Sequence, residues 1–295
     1  MQAATHIACL LFATFCLGAC DRHGQEATAA EFKRAAQRPS PIPDDRTQLV
    51  TVVSDHWTDF RATLRRYERE PGDKWRQVGA PVDAVLGREG YGWGRGLHGN
   101  GRLDGRPGPL KREGDGRSPA GVFEIGAAYG YAAARNDLSV PYVQATADLR
   151  CVDDPHSEHY NRIVSTADTE IDWKSAERMR RDDDLYVLAL VVEHNTKTTW
   201  RVAGSCIFLH LWEGPDKGMS GCTAMSRDAL EELAAWLDRD AAVLVALPLG
   251  EYELFRRPWR LPISAKPAFR SRAEAEAATP PSPLNQGVPA KVSGR

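Results

Sequence analysis

His210 and Cys222 stand twelve positions apart, and their side chains are of the types that support nucleophilic catalysis. The thiolate is the nucleophilic form of cysteine, and a neighbouring imidazole can take the thiol proton, hold the resulting ion pair and return the proton to a leaving amine. Gly221 has no Cβ, so the backbone N–H groups of Gly221 and Cys222 could approach a developing oxyanion closely. The spacing therefore indicates a cysteine nucleophile with a histidine base.

Two other interpretations fit the same residues. Cys222 can be a small core residue beside a hydrogen-bonded strand histidine, since free cysteine is commonly buried. A metal site would add Cys206, but side chains four apart on one strand lie about 13 Å apart. The four-ligand spacing of structural zinc is also missing. We therefore expect no metal and no cofactor.

Three elements must position the pair. The apolar run 207–211 predicts a buried strand that carries His210. The glycine-rich residues 214–221 predict a loop that reverses the chain and leads to Cys222. Ser226 then has the character of a helix N-cap, and one apolar helix face follows it. The residues of that face are Leu230, Leu233, Ala234 and Leu237.

A second motif lies far upstream, where residues 118–125 read Ser-Pro-Ala-Gly-Val-Phe-Glu-Ile. Together with His210 and the Ser-Gly-Cys of residues 220–222, it resembles the L,D-transpeptidase (YkuD-type) catalytic domain of bacterial cell-wall enzymes. The resemblance covers residues 48–248 and is closest to a divergent branch of that family. Common members carry an arginine two residues after the cysteine, where this chain has Ala224.

The resemblance implies a cysteine-dependent transfer reaction on peptidoglycan stem peptides. Cys222 would form a thioester, His210 would act as base, and the N–H groups of Gly221 and Cys222 would form the oxyanion hole. Ser220 and Thr223 would contact substrate. An amine acceptor gives a crosslink and water gives a carboxypeptidase. A non-catalytic peptidoglycan-binding lipoprotein, with an idle cysteine, is the alternative from another class.

The fold expected is mainly β with a few helices, a β-rich α+β fold. From the resemblance, we expect a mixed sheet or sandwich with the catalytic cysteine on a loop before a helix. The catalytic domain would span residues 48–255, long enough for a sizeable core. Within it, Trp57, Phe60, Leu64 and Tyr67 recur at helical spacing, and residues 173–181 read as a short basic helix.

The first 19 residues carry no charged side chain and include an apolar run of signal-peptide length. Residues 17–20, Leu-Gly-Ala-Cys, resemble the bacterial lipobox, which implies lipidation of Cys20; an ordinary signal peptide is the alternative. Residues 20–47 would then be a flexible tether. These features predict a lipid anchor in the membrane and a location on the periplasmic side of the cell envelope.

The tail at residues 256–295 has eight Lys or Arg against two Glu and is rich in Pro and Ala, so we expect disorder there. The whole chain has a formal net charge of −2 and no nucleic-acid motif. We expect a monomer with no nucleic-acid partner. Its partners would be stem peptides and the membrane.

Other candidate residues have structural interpretations. The glycine-rich residues 87–116 lack the ending of a phosphate-binding loop, and Trp93 within them is expected in the core. His194 has no nucleophile near it in sequence and is expected to be structural. Once the signal and Cys20 are set aside, Cys151 and Cys206 either pair or stay buried, which leaves Cys222 as the reactive thiol.

Overall fold

The structure is a computed structural model that describes residues 39–263, together with the separate positions 28, 30, 33 and 37. The predicted signal peptide, Cys20 and most of the predicted tether lie outside the described residues. So does the tail from residue 264 onward. No helix among the described residues has both the length and the apolar character needed to cross a bilayer.

Residues 39–263 form sixteen strands and two helices. The first eight strands are β1 Gln48–Ser54, β2 Arg61–Glu68, β3 Arg76–Val85, β4 Tyr91–Trp93, β5 Arg95–Gly96, β6 Gly99–Asn100, β7 Ser118–Phe123 and β8 Ile125–Gly130. The next eight strands are β9 Tyr142–Gln144, β10 Leu149–Val152, β11 Ile163–Ser165, β12 Ala176–Arg178, β13 Leu188–Val192, β14 Phe208–Leu211, β15 Thr223–Met225 and β16 Ala242–Pro248. The helices are α1 Arg227–Trp236 and α2 Leu249–Arg256.

Eleven strands make one mixed sheet in the order β4-β7-β16-β1-β2-β3-β15-β14-β13-β8-β9. The pairs β1/β16, β14/β15, β4/β7 and β8/β9 are parallel, and the other pairs are antiparallel. A three-stranded sheet, β11-β10-β12, and the hairpin β5-β6 are separate from it. The fold is therefore a β-rich α+β fold, which confirms the predicted class.

The middle of the large sheet is built from apolar and β-branched runs that suit strands buried on both faces. Strand β16 (AVLVALP) is buried along its whole length, and β1 (QLVTVVS) is buried from its second residue. Helix α1 begins at the N-cap Ser226, whose hydroxyl accepts a hydrogen bond from the Ala229 N–H at 3.4 Å. Its apolar residues join the main core, as the sequence predicted.

Two predicted helices are wrong. Leu64 and Tyr67 lie in β2, which pairs with β1 on one side and β3 on the other, so burial on both faces produced the apparent helical spacing. Part of the predicted helix at residues 173–181 is β12, which pairs with β10. In both places the tertiary pairing of strands overrides a weak local pattern.

The folded domain extends past both predicted boundaries. Ile42 is buried, although the tether was expected to run to residue 47. Beyond residue 255, Trp259 stacks on Phe255 with ring centroids 4.2 Å apart, and Leu261 is buried. The disordered tail therefore does not begin at residue 256, because the apolar residues of the 256–263 stretch complete the core beside α2.

Candidate functional site

His210 and Cys222 are brought to neighbouring strands by the parallel pair β14/β15. Leu209 pairs with Thr223 and His210 pairs with Ala224, so Cys222 stands just before β15. Because side chains alternate along a strand, His210 and Cys222 point to the same face of the sheet. Strand spacing and rise put their Cα atoms roughly 8 Å apart. This face is the one turned away from helix α1.

The Cys222 thiol is enclosed by backbone groups. The residue is 7% exposed, and its Sγ accepts a hydrogen bond from the Phe208 N–H at 3.3 Å. The thiol donates to the Cys206 carbonyl at 3.5 Å. Burial, followed by the negative charge of Glu177, raises the pKa of Cys222 to about 12. The resting side chain is therefore a neutral thiol at neutral pH.

His210 is held by the backbone of its own strand. Its Nδ1 lies 2.7 Å from the Leu211 carbonyl, which can only accept, so Nδ1 carries the proton and Nε2 is the basic nitrogen. Burial lowers the pKa of His210 to about 4. Desolvation therefore favours the neutral form of both Cys222 and His210 in the free site.

Tyr186 joins the two residues and was missed by sequence analysis. Its ring centroid lies 5.0 Å from that of His210 in an edge contact. Its hydroxyl donates to Glu177 Oε2 at 2.6 Å, and its side chain belongs to the same buried cluster as Cys222. No local pattern marks Tyr186 or Glu177, because only the packing of the small sheet β11-β10-β12 against β13–β15 brings them here.

The upstream motif contacts the cysteine directly. The Ser118 hydroxyl donates to the Cys222 carbonyl at 2.9 Å and accepts from the Gly87 N–H at 2.8 Å. Ser118 begins β7, which comes eight strands before β15 along the chain. The two motifs that carry the family resemblance are therefore adjacent in space.

Cys151 and Cys206 form a disulfide, and Cys222 is the free cysteine of the described residues. The choice left open by the sequence is thereby resolved in favour of pairing. The bond removes Cys206 as a thiolate ligand for a metal. Cys206 has a φ of 55°, and its N–H is held by Asn161 Oδ1 at 3.0 Å, so the backbone that receives the Cys222 thiol is fixed on two sides.

A buried cation stands beside Gly221. A Cβ at residue 221 would lie 3.2 Å from the Arg117 carbonyl and 3.8 Å from Lys111 Nζ. Lys111 is 5% exposed and donates to Asp115 Oδ1 at 2.7 Å. Its positive charge acts to lower the pKa of Cys222, against the larger effect of burial. Lys111 is a second residue that the sequence gave no reason to select.

The two residues predicted to contact substrate, Ser220 and Thr223, lie in different places relative to Cys222 and His210. Ser220 is exposed and adjoins Gly221. Thr223 is 6% exposed and pairs with Leu209, so it lies on the sheet face opposite Cys222 and His210. The structure does not bring Thr223 to the site, because residues 222 and 223 alternate across the sheet.

Two structural predictions outside the site are confirmed. His194 is buried, lies 2.9 Å through Nε2 from the Ala203 carbonyl and accepts the Arg95 N–H at 3.2 Å through Nδ1. Burial lowers its pKa to about 3, so it is a neutral, satisfied core histidine. Trp93 is 1% exposed and belongs to the main core.

A cavity of about 440 Å³ lies away from the cysteine. Its wall carries opposite charges that pair with one another, including Lys197 with Glu124 at 2.9 Å and Arg46 with Glu124 at 3.4 Å. Neither Cys222 nor His210 lines it. This cavity therefore gives no access to the Cys222 thiol.

No protein-family model and no curated protein matches this chain. Among solved structures it is similar to the structure of Bdellovibrio bacteriovorus Bd1075, with 13% identity and a TM-score of 0.36. The match covers 76% of this chain and 57% of that one, so this chain spans little more than half the length of that protein.

Proposed function

We propose that this protein is a cysteine-dependent acyl-transfer enzyme of the L,D-transpeptidase type that acts on peptidoglycan stem peptides. The observation that carries the proposal is the placement of His210 and Cys222 on one sheet face, with His210 Nδ1 fixed by the Leu211 carbonyl. The bond from Ser118 to Cys222 supports it further, because it joins the two motifs of the family resemblance.

The chemistry is acyl transfer through a thioester intermediate. His210 Nε2 accepts the Cys222 proton while the sulfur attacks the carbonyl between the third residue (L) and the fourth residue (D) of a stem tetrapeptide. The amide nitrogen leaves with that proton. The side-chain amine of a second stem then attacks the thioester to form a crosslink, or water attacks to release the shortened stem. The N–H groups of Gly221 and Cys222 receive the oxyanion.

The electrostatics of the free site decide when the proton moves. With pKa values of about 12 for Cys222 and about 4 for His210, the thiolate–imidazolium pair is rare before substrate binds. Proton transfer therefore accompanies the attack on the carbonyl. The attack must also release the thiol from the Cys206 carbonyl. Substrate binding supplies the energy for this rearrangement.

The first test is covalent labelling. The full-length protein is incubated with a carbapenem, whose strained acyl group reports an activated cysteine, and its intact mass is measured. We expect an adduct that maps to Cys222, is absent in C222A and forms more slowly in H210A. His156→Ala is the matched control, because this histidine side chain is 92% exposed and lies on another loop. A folded wild type that forms no adduct contradicts the proposal.

A second assay separates the two fates of the thioester. A stem tetrapeptide is supplied alone and then with an excess of a stem bearing a free side-chain amine, and the products are weighed by mass spectrometry. A crosslinked dimer in the second mixture identifies a transpeptidase. Release of the fourth residue with no dimer identifies a carboxypeptidase that uses the same residues.

The burial of Cys222 favours a second candidate, a non-catalytic peptidoglycan-binding protein. The thiol is 7% exposed and its hydrogen bonds are satisfied by backbone, which is typical of an idle core cysteine. In that case the protein would bind purified peptidoglycan sacculi equally well as wild type and as C222A. It would give no adduct and no product in the two assays above.

We also propose that the chain is exported and held at the membrane by lipid on Cys20. The Cys151–Cys206 disulfide supports an oxidising compartment such as the periplasm. The test is metabolic labelling with an alkyne fatty acid in the native host. We expect label on the wild type and none on C20A; an unlabelled wild type would point to an ordinary signal peptide.

A further inference from the structure

Tyr186 links Glu177 to the apolar cluster that contains Cys222. Its hydroxyl donates to Glu177 Oε2 at 2.6 Å, and its ring lies 5.4 Å from that of Phe208, whose N–H donates to the Cys222 sulfur. Glu177 is placed by the small sheet, where it pairs with Cys151 on β10. Cys151 is in turn bonded to Cys206, whose carbonyl receives the Cys222 thiol. One covalent and hydrogen-bonded unit therefore holds all of these groups.

A phenol hydroxyl has one proton, so it can serve only one acceptor fully at a time. A carboxylate is a stronger acceptor than a neutral thiol, because hydrogen bonds to charged groups are roughly twice as strong. While Glu177 is charged it keeps the hydroxyl. The same negative charge, acting through a buried site, also disfavours a thiolate at Cys222.

We propose that Glu177 and Tyr186 are positioning residues that control the ionisation of Cys222. Charged Glu177 holds the Tyr186 hydroxyl away from the sulfur and keeps Cys222 a thiol. Neutral Glu177 releases the hydroxyl, which then donates to the Cys222 thiolate and stabilises it. The inference concerns the site of the proposed function, but its test measures only the chemistry of the thiol.

Other charged groups lie near Glu177, Tyr186 and Cys222 and influence their protonation. Arg181 lies 5.0 Å from the centroid of the Tyr186 ring and is paired with Asp183 at 2.8 Å. Asp153 and Glu113 act on Glu177, and Lys111 acts on Cys222. Arg181 acts on both Glu177 and His210. Burial is the largest influence on Glu177 and raises its pKa to about 6. Glu177 therefore changes charge within the range of ordinary experiments.

The experiment is alkylation of Cys222 by iodoacetamide. The thiolate sulfur displaces iodide from the reagent's CH₂ carbon, and the thiol proton passes to buffer, so the rate follows the thiolate fraction. The full-length protein is used without reductant, and the labelled Cys222 peptide is quantified by mass spectrometry against C222A. The variants are E177Q, Y186F and the double variant. Glu158→Gln is the matched control, since this side chain is 81% exposed.

At pH 7.5 we expect E177Q to react about tenfold faster than wild type, which corresponds to a fall of about one unit in the thiol pKa. The Gln amide is a weaker, neutral acceptor, so the thiolate is then the only charged acceptor for the Tyr186 hydroxyl. Y186F alone should stay within about threefold of wild type, because Glu177 already holds the hydroxyl. The double variant should lose most of the gain, and E158Q should match wild type.

Two results overturn the inference: an E177Q rate equal to wild type, or a double variant as fast as E177Q. If E177Q does not fold, the wild-type rate profile decides. Protonation of Glu177 near pH 6 should lower the thiol pKa, so the logarithm of the rate should rise with a slope below one from pH 5 to 7 and with unit slope above. Unit slope throughout would also overturn it. Because alkylation by iodoacetamide requires no substrate, a protein that is inactive towards carbapenem and stem peptides can still support or overturn this inference.

Discussion

The Ser118 hydroxyl donates a 2.9 Å hydrogen bond to the Cys222 carbonyl, across 104 positions of the sequence. The same hydroxyl accepts the Gly87 N–H, so three separate segments meet at one buried oxygen. A buried hydroxyl that satisfies two backbone groups fixes them relative to each other. Ser118 thereby sets the position of the loop that presents the Cys222 sulfur.

Replacing Ser118 with Ala should cost both stability and reactivity. The Gly87 N–H and the Cys222 carbonyl would be left without this partner in a buried site, which costs about 1–3 kcal/mol of unfolding free energy. We expect the carbapenem adduct to form at least about tenfold more slowly, because the nucleophile is misplaced. Urea unfolding and intact-mass kinetics measure the two effects.

Ser226→Ala is the control for this prediction. Ser226 is the N-cap of α1, and loss of its hydroxyl should lower the free energy of unfolding by about 1 kcal/mol. That hydroxyl accepts its hydrogen bond from the first turn of α1. An adduct rate that is as slow in S226A as in S118A would show that general destabilisation, and not the position of Cys222, is responsible.

The thiol of the resting protein should show the reactivity of an unactivated cysteine. With its pKa raised to about 12, Cys222 remains protonated from pH 7.5 to 9.5, and each pH unit should raise the alkylation rate about tenfold. Iodoacetamide kinetics with mass readout check this. A rate that levels off below pH 9 would show that burial does not raise the thiol pKa and would contradict this prediction.

Removal of the disulfide should destabilise the domain strongly. Cys151 and Cys206 are 55 positions apart, and closing a loop of that length in the unfolded chain is worth about 4 kcal/mol. The measurement is urea unfolding of C151A/C206A against wild type, both without reductant. A peptide map of the wild type should show these two cysteines linked and Cys222 free; a map with Cys222 in the bridge would refute the assignment.

Acid should weaken the fold before any carboxylate of ordinary pKa is protonated. Burial lowers the pKa of His98 and His210 to about 4 and that of His194 to about 3, from 6.5. Below pH 6.5 these histidines bind protons in the unfolded chain but stay neutral in the folded chain. The free energy of unfolding therefore falls as pH falls. Each histidine contributes a slope of up to about 1.4 kcal/mol per pH unit.

Glu177 opposes part of this trend. Its pKa is raised from 4.5 to about 6, so between these values the folded state binds the extra proton and gains stability as pH falls. Glu177 therefore makes the net slope between pH 6 and 4.5 smaller than the three histidines alone would give. Urea midpoints at half-unit steps from pH 7 to 4 measure it, and a flat profile above pH 5 would contradict the burial of neutral histidines.

The stretch after α2 should be essential to the domain. Trp259 is 2% exposed and stacks on Phe255, so W259A should cost about 3 kcal/mol or more through the cavity it leaves. Ile263→Ala serves as control, because Ile263 is 78% exposed and should change stability little. Thermal or urea unfolding that finds the two variants equal would place the domain boundary back at residue 255.

Sequence reasoning succeeded where a local pattern has a local cause. The N-cap Ser226 and the apolar face after it predicted α1, and the apolar run around His210 predicted β14. In each case the hydrogen bonds or the buried face are determined by residues within one element.

Sequence reasoning failed where contacts between distant segments determine the structure. Strand β2 was mistaken for a helix because its buried face is created by β1 and β3, and β12 was mistaken because it forms only against β10. Tyr186 and Lys111 could not be selected, since nothing near them in sequence marks them. The neutral state of Cys222 also depends on burial, which residue spacing does not reveal.

The Cys151–Cys206 bond also bears on how the chain matures. Three thiols allow three single bridges, and only one of those leaves Cys222 available. Cys151, Cys206 and Cys222 share one small apolar cluster, so a rearranged bridge would need little movement of the chain. Disulfide exchange requires a thiolate, and a cysteine with a pKa of about 12 rarely supplies one. The neutral thiol of the folded protein therefore protects the completed Cys151–Cys206 bond from exchange.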